Sequence, residues 1–195
     1  MIAIIDYGLG NLTSVKNALD FLGIESEITN NIEKIQKANK IILPGVGAFG
    51  YGMENLKKLG LIEVLNKEVV ENKKPFLGIC LGMQLICKKS YEEGEFQGLG
   101  WIDAEVVRFN FEKEKLLVPH VGWNDVRYNN TEQTFYFVHS YHLNVADKSI
   151  VRGWCDYGYA FPAIIQKGNI FAVQFHPEKS QTEGLEILRK FSQIT

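Results

Sequence analysis

The chain has 195 residues, 46% hydrophobic and 23% charged, with a formal charge of −2 from 21 basic and 23 acidic side chains. That length and apolar content predict a single domain over residues 1–195 with one sizeable core. The even spread of charge excludes the basic stripe that neutralises nucleic-acid phosphates, so nucleic acid is not an expected partner. No stretch of 18 apolar residues occurs and the opening MIAIIDYG lacks a positively charged n-region, so neither a membrane span nor a signal peptide is predicted, and the expected location is cytoplasmic. Cys80, Cys87 and Cys155 are odd in number and form no CxxC pair, which argues against a disulfide framework and a structural zinc site.

In chain order, IAIID (2–6) reads as a buried strand. NLTSVKNALDFLG follows as a helix, with Asn11 as N-cap and Gly23 as the stop. ESEIT (25–29) and KIILPG (40–45) predict the next strands with a weak helix between them. MENLKKLGLIEVLNKEVVEN predicts one or two helices, and KKPFLGI another strand. Apolar strands joined by helices imply an α/β fold, its central sheet mainly parallel and flanked by helices. Beyond residue 100, AEVVRF, TFYFVHS, AIIQKG and IFAVQF are short strands between Gly and Asn turns. They predict an antiparallel extension of that sheet, with SQTEGLEILRKFSQ closing the chain as an amphipathic helix.

The segment PFLGICLGMQLIC places Cys80 between Gly78 and Gly82, directly after a strand and before a helix. A G-x-nucleophile-x-G elbow requires this context, because a turn so sharp tolerates only small flanking residues. The sulfur would sit at a helix N-terminus that favours thiolate, and the Leu81 N–H could bind a developing oxyanion. The plainer reading, Cys80 as a small buried hydrophobe, stays open. A base is available in AVQFHPEKS, where Pro177 ends a strand at His176. If the extended geometry continues, Glu178 points the same way as His176 and can orient its ring. At the same sheet edge, LPGVGAFG (43–50) can turn a backbone N–H from Val46 or Gly47 toward the oxyanion. DYGLGNLTS fails the G-x-G-x-x-G dinucleotide pattern because Thr13 stands where the third glycine belongs. His139 and His142 in HSYH, three apart on one strand, would face opposite sides, so no metal and no cofactor are expected.

PGVGAFG, GICLGMQL, PHVGWN, YFVHSYH and VQFHPEKSQ occur in the order seen in class I, triad-type glutamine amidotransferases. Nearly the whole chain resembles that family, and in particular its branch serving imidazole glycerol phosphate synthesis. The resemblance implies a Cys80–His176–Glu178 triad that hydrolyses glutamine, a glutamine site lined by Gln84, Ser140 and Tyr141, and the PGVG loop as second oxyanion donor. It also implies a heterodimer with a (βα)₈-barrel cyclase that receives ammonia through a channel for histidine biosynthesis. Asn11, Trp123, Tyr136 and Lys179 match family positions facing that partner, without which the chain is expected to be a poor glutaminase. Three alternatives remain open: the same chemistry feeding another synthase, such as one aminating surface sugars; a cysteine hydrolase of a different acyl substrate; and a non-catalytic interaction module.

Overall fold

The computed structural model describes residues 1–111 and 116–194. The first half alternates strands and helices: β1 (Ile2–Ile5), α1 (Leu12–Phe21), β2 (Ser26–Thr29), α2 (Ile32–Lys37), β3 (Lys40–Gly45), α3 (Phe49–Lys58), α4 (Leu61–Leu65), β4 (Phe76–Cys80) and α5 (Leu81–Leu85). The Asn11 side chain accepts from the Ser14 N–H and caps α1, and Gly23 follows its end at φ +69°. Where one or two helices are expected before β4, α3 and α4 form, and α4 runs into a π-helical turn at Asn66–Glu71. All four residues of β1 and all five of β4 are buried, the pattern of strands covered on both faces.

The second half contributes β5 (Cys87–Ser90), β6 (Phe96–Gln97), β7 (Ile102–Arg108), β8 (His120–Tyr128), β9 (Thr131–His139), β10 (Tyr141–Val145), β11 (Val151–Asp156), β12 (Ala160–Lys167), β13 (Ile170–Val173) and α6 (Gln181–Gln193). A nine-stranded sheet runs β2-β1-β3-β4-β13-β12-β11-β8-β9, parallel from β2 to β13 and antiparallel from β12 onward. The expected antiparallel extension is therefore present, but AEVVRF is not part of it. As β7 it belongs to a second sheet, β10-β7-β5-β6, whose Ile102, Val106 and Leu143 join the core on the α2–α5 face. The opposite face is covered by α1 and α6 through Val15, Leu19, Leu188 and Phe191. Among the described residues, no helix is long and apolar enough to cross a membrane.

Candidate active site

Cys80 ends β4 and caps α5 with φ +52° and ψ −109°, a strained conformation for a residue with a side chain. Both neighbouring glycines are required by close approach. A Cβ on Gly82 would lie 1.8 Å from the Leu43 carbonyl oxygen of β3, and one on Gly78 would lie 2.8 Å from the Gly82 oxygen. The elbow is thus pressed between two strands and its own first turn. The helix it opens has only five residues, so its macrodipole is small, and the free N–H groups of its first turn matter more.

His176 follows β13, and its Nδ1 lies 2.8 Å from Glu178 Oε1, both side chains being 2% exposed. The contact does not arise from a continued extended strand. Pro177–Lys179 forms a short 3₁₀ turn that swings the carboxylate back under the ring. Burial alone would strip the proton from His176, but attraction to Cys80 and the pairing with Glu178 outweigh it and push its pKa up to about 10. The other ring nitrogen, Nε2, is buried without a hydrogen-bond partner, open to exchange a proton with Cys80. Ser180 Oγ fixes the histidine backbone by donating to the His176 carbonyl at 2.6 Å while accepting from the Tyr136 N–H at 3.0 Å.

Cys80 opens onto a cavity of about 400 Å³. Besides Cys80 it is lined by Val46, Gly47, Leu81, Gln84, Ser140 and Tyr141. All six were singled out by sequence. His176 and Glu178, both buried, are not among the residues that line it. Gln84 Nε2 donates to the Tyr141 carbonyl at 3.0 Å and to Gln174 Oε1 at 3.1 Å, so its amide also braces the wall it helps to form.

Three contributors escaped the sequence reading. Gln174, fully buried, places Nε2 3.7 Å from Cys80 Sγ; it lay inside the quoted VQFHPE motif without a role. Glu92 puts a carboxylate on the cavity wall while accepting from the Phe49 N–H at 2.7 Å, and burial pushes its pKa up. The third is a histidine chain. His139 Nδ1–H donates to the Tyr141 carbonyl at 2.8 Å, His120 Nδ1–H to His139 Nε2 at 3.1 Å, and Asn124 Nδ2 to His120 Nε2 at 3.3 Å. The premise that His139 and His142 share one strand is wrong: the strand ends before Ser140, and the two rings, on different sheets, both pack on Phe109. Burial depresses all three imidazoles, His120 to about 4 and His139 to about 3, so they are neutral hydrogen-bond relays. Among the described residues no group of three or more His, Cys, Asp or Glu side chains is placed to hold a metal ion.

Trp123 and Tyr136 meet edge to face at 5.8 Å on the β8–β9 ribbon, and Lys179 Nζ lies 5.8 Å from the Tyr136 ring. Trp123 is 49% exposed and Val121 and Val138 are also open to solvent, leaving an apolar face beside the cavity. Asn11 caps α1, which packs against the 3₁₀ turn carrying Lys179.

Chemically, a cysteine sulfur beside a protonated imidazole suits attack on an acyl carbon followed by protonation of the leaving group. The geometry would suit a cysteine-dependent acyl-transfer enzyme built on a mixed sheet whose parallel half carries the elbow. Comparison with known proteins is more specific: the glutamine amidotransferase class-I model matches residues 3–194, and the chain belongs to that family. It is 48% identical over 200 residues to imidazole glycerol phosphate synthase subunit HisH 2 of Methanococcus maripaludis, covering 98% of each chain. Identity to subunit HisH 1 of Campylobacter jejuni is 47% over 203 residues and the full length of both. Among solved structures, a crystal structure of a glutamine amidotransferase aligns with a TM-score of 0.78 at 22% identity, covering 98% of this chain and 97% of that one. PurLQS from Thermotoga maritima aligns with a TM-score of 0.73 at 18% identity, covering 97% and 96%. At these identities the structural likeness is one of fold.

Proposed function

We propose that this chain is the glutaminase subunit of a cytoplasmic imidazole glycerol phosphate synthase, hydrolysing glutamine to glutamate and ammonia for histidine biosynthesis. The chemistry rests on the buried His176–Glu178 pair, whose ring interacts with the strained Cys80 elbow at the cavity, and the pathway on the HisH relatives. Cys80 attacks the carboxamide carbon of glutamine, and the N–H groups of Leu81 and of the Val46–Gly47 turn receive the oxyanion. Protonated His176 gives its proton to the departing nitrogen, and ammonia leaves a thioester on Cys80. Water then attacks the thioester as His176 takes up its proton, which frees glutamate and restores the thiolate. The Glu92 carboxylate on the wall is placed for the substrate α-ammonium, beside Gln84, Ser140 and Tyr141.

Ammonia released into neutral water is mostly protonated and no longer nucleophilic, so the product needs a sheltered path. The face formed by Trp123, Tyr136, Lys179 and Asn11, apolar at its centre and next to the cavity, fits a (βα)₈-barrel cyclase docked over the exit. The test is glutamate release by the chain alone and with the cyclase and its acceptor substrate. Strong stimulation is expected, and Cys80→Ser should abolish turnover while leaving partner binding intact. Vigorous turnover without a partner would refute the dependence on the cyclase.

One observation favours a second reading of the acceptor. Methanococcus maripaludis has both a HisH 1 and a HisH 2, 45% and 48% identical to this chain. Two such subunits in one organism suit the same glutaminase chemistry serving a second synthase, such as one aminating a surface sugar. Absence of stimulation by the histidine-pathway cyclase, with Cys80 still labelled by a glutamine-like affinity reagent, selects this reading.

A further inference from the structure

Tyr7, in the turn after β1, is fully buried, yet its hydroxyl has no hydrogen-bond partner. A buried hydroxyl left unpaired costs the fold free energy that a phenylalanine of the same shape would not. Its location is specific. A Cβ added to Gly45 would lie 2.2 Å from the Tyr7 oxygen and 2.9 Å from Leu81 Cβ, and Gly45 pairs with Cys80 across β3 and β4. The hydroxyl therefore stands where the two backbone segments that carry the oxyanion donors meet. Tyr7 does not line the cavity, so it reaches Gly45 from the protein side. Asn55 Nδ2 donates to the Tyr7 carbonyl at 3.0 Å and anchors the residue to α3. Burial, reinforced by the charge of Cys80, pushes phenol ionisation far above its ordinary range, so the group remains a neutral donor throughout.

The peptide joining Gly45 to Val46 is planar, with its N–H and C=O on opposite sides. Aiming the Val46 N–H into the cavity turns the Gly45 carbonyl toward the protein interior, where a carbonyl needs a donor. We propose that Tyr7 is a positioning residue for the glutaminase reaction: its hydroxyl donates to the Gly45 carbonyl when the Val46 N–H faces the oxyanion, and holds that donor in place. The inference rests on the glutaminase reading of Cys80 and the Val46–Gly47 turn.

The test is Tyr7→Phe in the full chain, assayed for glutamate release with the cyclase and its substrate present. The expected result is a fall in kcat of ~10²-fold, the size of losing one oxyanion donor. KM for glutamine should stay within about twofold, since ground-state binding does not use this bond. The melting temperature should be unchanged or higher, and iodoacetamide should alkylate Cys80 at the wild-type rate, because the resting structure loses no hydrogen bond. An unchanged kcat overturns the proposal. So does a loss carried by KM, or a drop in melting temperature, which would mean that the hydroxyl is already paired at rest. Failure of the underlying reading is separately visible: it would appear as turnover surviving Cys80→Ser, whatever Tyr7→Phe does.

Discussion

Gly82→Ala isolates the steric origin of the elbow. The new methyl would sit 1.8 Å from the Leu43 carbonyl oxygen and 2.8 Å from its carbon. A comfortable carbon–oxygen contact is ~3.3 Å, so α5 and β3 must separate by roughly 1.5 Å. The obstacle is backbone of a strand hydrogen-bonded between β1 and β4, which cannot step aside as a side-chain tip can. Overpacking costs ~1–3 kcal/mol where side chains yield, and about 3 kcal/mol or more is expected here. For a chain of this length each kcal/mol lowers the melting temperature by ~2–4 °C, giving a drop of ~6–12 °C. Because Cys80 and Leu81 move with the helix, a displacement of this size should also cost ~10²-fold in glutamine turnover. Gly60→Ala is the control: nothing lies within 4 Å of its Cβ position, and at φ +66° it bears only left-handed backbone strain, about 1–2 kcal/mol. Thermal melts and glutamate release with the partner present would measure both effects. A Gly82→Ala protein that melted within ~2 °C of the parent and turned over normally would refute the argument that this close approach shapes the site.

Glu178→Gln keeps the shape of the pair but removes the charge that supports the imidazolium; turnover should fall roughly 10²- to 10⁴-fold, and the proton on His176 should leave well below pH 10 in an NMR titration. Stability should decline on the acid side, because His120 and His139 have folded-state pKa values of about 4 and 3, below their unfolded values. The unfolded chain then binds more protons as pH falls from about 6.5, and each unit of displacement is worth ~1.4 kcal/mol. His139→Gln should flatten the urea midpoint between pH 6.5 and 4; an unchanged slope would count against the buried relay. His176, raised to about 10, works in the opposite sense: its contribution is complete below its unfolded pKa and is lost as pH rises through about 10. Lys74 Nζ lies 2.8 Å from Glu68 Oε2 and also donates to the Ile35 and Gln36 carbonyls. Lys74→Met should cost ~3–5 kcal/mol in urea unfolding by stranding a buried carboxylate, with partial recovery in the double variant carrying Glu68→Gln.

The elements that sequence located best are those whose signals are local. Gly78-x-Cys80-x-Gly82 after an apolar strand specifies the elbow, since the turn itself demands small neighbours. Pro177 likewise marks the turn that presents His176, although β13 itself ends earlier, at Val173. The missed strands fail for a physical reason: β8 and β11 each expose one face, so their apolar residues are diluted by Asp125, Arg127 and Arg152. β5, the short CKKS segment, carries no strand signal, and nothing in the composition of β7 reveals that it pairs with β5 and β10 in a separate sheet.

The candidate site divides along the same line. Sequence by itself marked Cys80, His176 and Glu178 as the candidate nucleophile, base and orienting carboxylate, because each lies in a short motif built on Gly or Pro, although Glu178 reaches the ring through a 3₁₀ turn and not through an extended strand end. It also marked the PGVG turn, through glycines that leave the backbone free to approach. Only the tertiary structure decided that Glu92 reaches the cavity, that the buried Gln174 lies against the Cys80 sulfur, that His120 and His139 form a neutral hydrogen-bonded chain, and that Tyr7 points an unpaired hydroxyl at Gly45. Those relations join residues tens of positions apart through packing. Burial and hydrogen-bond satisfaction depend on what the rest of the chain brings alongside, so no local pattern encodes them.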